Sequence, residues 1–424
     1  MSHPAATPAL SAPRSGTGLP AYGLFAGLLA MAGLPIYIHA PKFYVDEFGV
    51  SLGALAAALF VLRMLDFVQD PVLGWLAARL RAVRGLAVAV AGAVMALAMV
   101  GLFAVTPPIA PVLWFALTLT GLFSAFSFLT IAFYATGAQK GEALGTNGHV
   151  RLAGWRETGA LLGVCVAAAA PTALMLVSDR PFALFALGFV ALAGLAVWAM
   201  AAEWARHPGA PADGAGFGVV LADPQARRLL IIAFLNATPV AVTSTLFLFF
   251  VESRLAAPGW EGPLLILFFL AAAGSAPVWA RLARRFGAKR VLLAGMGVAV
   301  LAFAAVPFLG TGDVALFAGV CLLTGAGLGA DLTLLSAIFS RRMAAIAPDA
   351  AGGFGLWAFV TKATLAMAAI IVLPLLDLAG FTSGTENTPQ ALAMLTLLYA
   401  GLPCILKLAA MALLAATPIN EGDT

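Results

Sequence analysis

Two carboxylates stand four residues apart inside an apolar run, LGALAAALFVLRMLDFVQDPVLGWLA (residues 52–77). On a helix Asp66 and Asp70 lie one above the other on a single face, and Arg63 joins that side. Carboxylates held this close repel each other, so one takes a proton unless a cation sits between them. A proton or Na⁺ meets that demand, and Pro71 frees the carbonyl of Phe67 one turn back as a further oxygen. The plainer alternative is a structural Arg63–Asp66 pair with Asp70 solvated near the helix end. It leaves the second carboxylate unexplained. A charge at the centre of a membrane helix costs roughly 2.5–3.5 kcal/mol. Lys362, in GLWAFVTKATLAMAAIIVLPLLDLAGF (355–381), therefore needs Asp66 or Asp70, or Asp331 on the preceding run, or else snorkels to the interface. Asp331, among glycines and alanines in LTGAGLGADLTLLSAIFS, is divided between a structural pair with Lys362 and a substrate role. Asp377 reads as interfacial, and His39, His149 and His207 as solvated residues at loop ends. Nothing resembles a metal cluster or a nucleophile–base set, and GAGLG lacks the strand–turn–helix setting of a phosphate loop. The reading is of a protein that is not an enzyme, carries no cofactor and binds no nucleic acid. Its one candidate ion is a Na⁺ or H⁺ at Asp66 and Asp70.

The elements that hold these residues must be membrane helices. Of the 424 residues 62% are hydrophobic and 10% charged, with a mean hydropathy of +1.01. Ordinary soluble domains carry about 25% charged residues, so soluble enzymes and disordered scaffolds are excluded. Cys165, Cys321 and Cys404 each lie in an apolar run, as buried thiols do. Breaks at proline, glycine and charge clusters leave twelve runs of about 20 residues or more, the length of a bilayer span. They fall near 21–40, 51–77, 85–105, 111–138, 153–176, 181–202, 228–251, 262–282, 290–309, 313–339, 353–379 and 390–416. The polar connection 203–227 divides them into a six-helix bundle at 21–202 and another at 228–416, with tails at 1–20 and 417–424.

Loops after even-numbered spans, with the residues at the span ends that flank them, hold fifteen Lys and Arg, and those after odd-numbered spans hold three. The positive-inside bias then places both termini and the central loop in the cytoplasm. Residues 70–88, DPVLGWLAARLRAVRGLAV, resemble 276–294, APVWARLARRFGAKRVLLA, at an offset of 206. Two parallel six-helix halves define the major facilitator architecture, with the solute site between them near mid-membrane. The expectation is an all-α membrane protein of twelve transmembrane helices in two pseudo-symmetric six-helix bundles.

With these residues in view, the chain resembles the glycoside–pentoside–hexuronide:cation symporters, the family of melibiose permease. The likeness rests on FYVDEFGVS with RMLDFVQDPVLGW (43–51 and 63–75), IAFYATGAQ (131–139), RLAGWRETGALLGV (151–164) and GFGLWAFVTKATLAMA (353–368). It implies that Asp66 and Asp70 ligate the coupling cation, completed by the span 4 hydroxyl of Ser127. It implies that Tyr134 lies beside the sugar, that Arg156 faces the substrate and that Lys362 stands near both sites. Departures accompany the match. Span 1 has no acidic residue, and Thr130, counted here with the cation set, replaces a sugar-binding aspartate. Ala78 stands where the 2–3 loop usually has an aspartate.

The resulting expectation is an inner-membrane symporter that uses a Na⁺ or H⁺ gradient to carry a small polar solute, a sugar or glycoside, by alternating access. It works as a monomer among membrane lipids. A carrier of lipid-like or organic-anion substrates is the alternative, since the family includes lysophospholipid carriers. A non-transporting sensor or scaffold comes last, having no use for Asp66, Asp70 and Lys362 inside a bilayer.

Overall fold

The computed structural model describes residues 18–33, 40, 43–44, 47–145, 147–205, 217–346, 351–381 and 387–419. Twelve long helices run through them: α1 Leu19–Met31, α2 Leu52–Arg79, α3 Arg84–Phe103, α4 Pro111–Ala143, α5 Gly148–Leu174 and α6 Pro181–Ala199, then α7 Pro224–Arg254, α8 Glu261–Phe286, α9 Ala288–Phe308, α10 Val314–Ile346, α11 Ala351–Leu378 and α12 Pro389–Ala416. In a bilayer every backbone polar group must be bonded within the protein, and a helix does this inside a single apolar run of about 20 residues. Large apolar side chains such as Leu97, Trp198 and Leu301 point outward at 70–75% exposure, as a lipid-facing surface requires.

Lipid offers no hydrophobic drive between helices, so they pack where small residues let backbones touch. Gly159 and Gly163 on α5 lie against Gly23 and Gly27 on α1. A Cβ at Gly159 would fall 2.0 Å from the Gly23 carbonyl oxygen, and one at Gly163 2.3 Å from that of Gly27. The packing pattern repeats with a shift of six helices. α1 packs on α5 as α7 packs on α11, α2 on α4 as α8 on α10, and α3 on α6 as α9 on α12. Pro71 in α2 and Pro277 in α8 occupy the same place in the repeat.

Two seams related by that symmetry, α2–α11 and α5–α8, join the halves, and α4 and α5 also touch α10. The halves share a core at one end, where Ala77, Phe128 and Ile131 of the first pack with Leu334, Phe339 and Phe354 of the second, and a smaller one further along, where Leu161 of α5 meets Ala272, Ala273 and Leu328. Toward the other end each half has its own core, one around Phe103 and Phe185 and one around Phe250 and Phe317. The larger shared core lies at the end carrying the arginine-rich connections, here termed the basic face. Lys140 and Arg151, read from sequence as loop residues, belong to the last turn of α4 and the first turns of α5.

Candidate functional site

The two halves meet through charged side chains. Lys362, from α11, donates to Asp70 Oδ1 on α2 at 3.0 Å and to Ser127 Oγ on α4 at 2.7 Å. One ammonium of the second half thus bonds two helices of the first. The approach is tight because Gly355 on α11 lies against the Asp70 carbonyl and Gly74 of α2, where a Cβ would sit 3.3 Å from each. Asp70 is fully buried, and its Oδ2 has no hydrogen-bond partner among the described residues. The Lys362 side chain keeps 17% exposure, so it borders open space. Thr130, one turn beyond Ser127 on α4, has a buried hydroxyl with no partner among the described residues. Ser124, a turn before, donates to Gln69 Oε1 at 2.8 Å and fixes α4 to α2. The side chains of Arg63, Asp66 and Asp377 lie outside the described residues.

Arg156 on α5 forms a second cluster. Its Nε donates to Glu157 Oε1 at 2.8 Å and its Nη2 to Ser336 Oγ on α10 at 2.8 Å, another bond across the halves. The guanidinium lies 3.9 Å from the centre of the Tyr134 ring, and the Tyr134 hydroxyl donates to Glu157 Oε1 at 3.3 Å. Sequence reasoning passed over Glu157, because consecutive helical residues do not face each other. Both carboxylate and guanidinium nonetheless reach Tyr134.

Asp331 is corrected. It pairs with Lys407 of α12, not with Lys362, and Lys407 also donates to Asn236 Oδ1 of α7 at 2.7 Å. All three side chains are buried within the second half. Asp331 is the first residue of a π-helical turn, Asp331–Leu335. A lone lysine in LPCILKLAAMALL was the available signal. His149 is also corrected: it is 9% exposed and lies 3.4 Å from Glu142. Cys321 is buried, whereas Cys165 and Cys404 are only partly so. No group of three or more His, Cys, Asp or Glu side chains able to hold a metal occurs among the described residues.

Twelve helices in two six-helix repeats, with Lys362 and Arg156 each bonding across from one repeat to the other, define a major facilitator transporter, an integral membrane protein and not an enzyme. The sequence matches the family described as MFS/sugar transport protein over residues 19–421, and the chain belongs to that family, which includes the glycoside–pentoside–hexuronide:cation symporters. A comparison with curated protein sequences gives no match. Among solved structures the chain is similar to a bacterial homologue of the iron transporter ferroportin in an outward-facing state. The TM-score is 0.68 at 15% identity, over 94% of this chain and 98% of that one. It is similar also to the E. coli fucose:proton symporter, with a TM-score of 0.68 at 16% identity over 92% of this chain and 98% of that one. At such identities the likeness concerns the fold.

Proposed function

We propose that the protein is a cation-coupled symporter of a neutral polar solute, a sugar or glycoside, and that Asp70, Ser127 and Lys362 form the coupling centre. The observation that carries the reading is the Lys362 ammonium held between Asp70 and Ser127. It occupies the place a Na⁺ would take, satisfying the same oxygens. An arriving Na⁺, or a proton on Asp70, removes the reason for the lysine to stay. The released ammonium then turns toward the solute. Asp66 and Thr130 complete the proposed cation set, and the buried Asp70 Oδ2 has acceptor capacity to spare.

Tyr134, Arg156 and Glu157 supply a ring face, a fork of donors and a carboxylate, the groups that bind a polyhydroxylated ring. Glu157 makes good the sugar-binding carboxylates that spans 1 and 4 lack. It also neutralises Arg156, as Asp70 neutralises Lys362, which favours a neutral solute over an organic anion or a lipid-like substrate. With the basic face in the cytoplasm of a bacterial inner membrane, the core around Phe339 and Phe354 packs the halves together at the inner end.

The test is uptake into proteoliposomes from a panel of sugars, glycosides and organic anions, with Na⁺ and H⁺ gradients imposed separately. Accumulation of one neutral sugar driven by one of the two gradients is expected. Equal uptake with and without either gradient would remove cation coupling from the reading. Labelling of cysteines placed at 213 and 256 in intact cells checks the orientation, with 213 protected and 256 reached.

A further inference from the structure

A lateral groove of 410 Å³ lies in the α5–α8 seam near the basic face, lined by Arg151, Trp155 and Thr158 from α5 and by Pro277, Arg281 and Arg284 from α8. The three arginines and Trp155 are exposed, and among the described residues no acidic one lines the groove. Among the described residues Arg284 donates to the Ala280 carbonyl of its own helix at 3.3 Å. Arg156 and Glu157, on the same helix, are buried elsewhere, so this is not the solute centre.

The symmetry-related seam shows that these charges are not a general need of the fold. At the repeat offset of 206, positions 75, 78 and 357 correspond to Arg281, Arg284 and Arg151, and they hold Trp, Ala and Trp. The basic residue that ends the helix is kept in both, as Arg79 and Arg285. The three extra arginines of the α5–α8 seam therefore exceed what orientation in the membrane demands. Beside them, Leu162 and Val166 on α5 and Leu270 and Val278 on α8 are exposed apolar residues further into the bilayer. A basic pocket at headgroup depth, with an aromatic side chain at its rim and an apolar surface beyond, matches the chemistry of a phospholipid.

We infer that this seam is a headgroup site for an anionic phospholipid of the leaflet at the basic face. The phosphate lies among Arg151, Arg281 and Arg284, and an acyl chain runs along Leu162 and Val166. Because Arg151 belongs to one half and Arg281 and Arg284 to the other, the bound lipid screens their repulsion and ties the halves together at the basic face. The N-terminal tail cannot substitute, since residues 1–17 contain an arginine and no acid.

Native mass spectrometry of the delipidated full chain, titrated with phosphatidylglycerol or phosphatidylcholine, tests the inference. Phosphatidylglycerol should bind the unaltered protein in clear preference to phosphatidylcholine. The Arg281→Ala/Arg284→Ala protein should lose about 30-fold in that affinity, from about 1 kcal/mol per basic residue. Arg151→Gln, a single change at an exposed first-turn position, should lose about 5-fold by the same constant. Arg281→Lys/Arg284→Lys should keep most of the binding and shows that the loss is one of charge. Undiminished binding by Arg151→Gln and by the alanine pair would overturn the site, as would equal binding of the two lipids. Displacement of phosphatidylglycerol by millimolar inorganic phosphate would overturn the lipid and leave a free-anion site.

Discussion

Lys362 and Arg156 occupy matching places in the two halves, 206 residues apart on α11 and α5, yet they are wired differently. Lys362 finds its carboxylate, Asp70, on the opposite half, whereas Arg156 finds Glu157 next to it on its own helix. Each also bonds a serine across the interface, Ser127 and Ser336. If the halves rock about the site, as the proposed alternating access requires, the Lys362–Asp70 pair must stretch or exchange partners, while the Arg156–Glu157 pair moves as a unit. The residue types fit the two tasks. An ammonium is a compact point charge that releases its partner readily, and a guanidinium is a planar fork that stays charged and stacks on an aromatic face. On the proposed reading, repeat symmetry is kept in backbone and position while the function is divided, one cluster sensing the cation and the other retaining solute contacts.

The largest test of that division is Asp70→Asn. It should abolish gradient-driven accumulation while protein remains in the membrane and downhill exchange survives, since the amide keeps the shape of the protonated acid. Undiminished uphill uptake by Asp70→Asn would break the comparison at its first term. Asp331 provides the control, an ion pair lying wholly inside one half. Asp331→Asn should lower stability by about 3–5 kcal/mol, because it strands the buried Lys407. The double change Asp331→Asn with Lys407→Met should recover much of the lost abundance, whereas Asp331→Asn with Lys362→Ala should not. Membrane yield and thermal unfolding in detergent distinguish the two pairs.

Lys362→Ala should reduce the effect of cation on solute affinity, a coupling of about 1–3 kcal/mol in typical cases, with little change in abundance. Arg156→Lys, by contrast, should weaken solute binding at every cation concentration and leave the cation dependence as it was. Solute titrations at high and zero cation separate these outcomes, and equal loss of coupling in both variants would merge the clusters into one. The smallest effect belongs to the surface of the second half. There Asp223 caps α7 through the Ala226 amide and binds Arg342, whose guanidinium holds the Asp223 carboxyl below its ordinary range. Its stabilisation is present above the unfolded carboxylate value, about 3.9, and is lost as the pH falls through the lowered folded value. The difference in melting temperature between the unaltered protein and Asp223→Asn should therefore be constant from pH 7 to 5 and vanish in stronger acid.

Composition and spacing alone determined that the chain is a bundle of twelve membrane helices in two repeats, because bilayer thickness and backbone hydrogen bonding leave no other use for such runs. They also marked Asp70 and Lys362, since isolated charges in apolar helices stand out one by one, whereas Ser127, Tyr134 and Arg156 were marked by the resemblance to the symporter family. Which charges meet was a different matter. Asp331 had two lysines within reach along the sequence, and the choice of Lys407 over Lys362 depended on how the helices of the second half pack. Glu157 was hidden by its position beside Arg156, where local periodicity argues against a shared face. The basic seam was equally invisible, since Arg151 and Arg281 are 130 residues apart and read separately as loop-end charges. Bilayer insertion depends on each helix separately and is written along the chain. Pairing across helices depends on rotation, depth and approach of whole helices, and those are properties of the packed bundle alone.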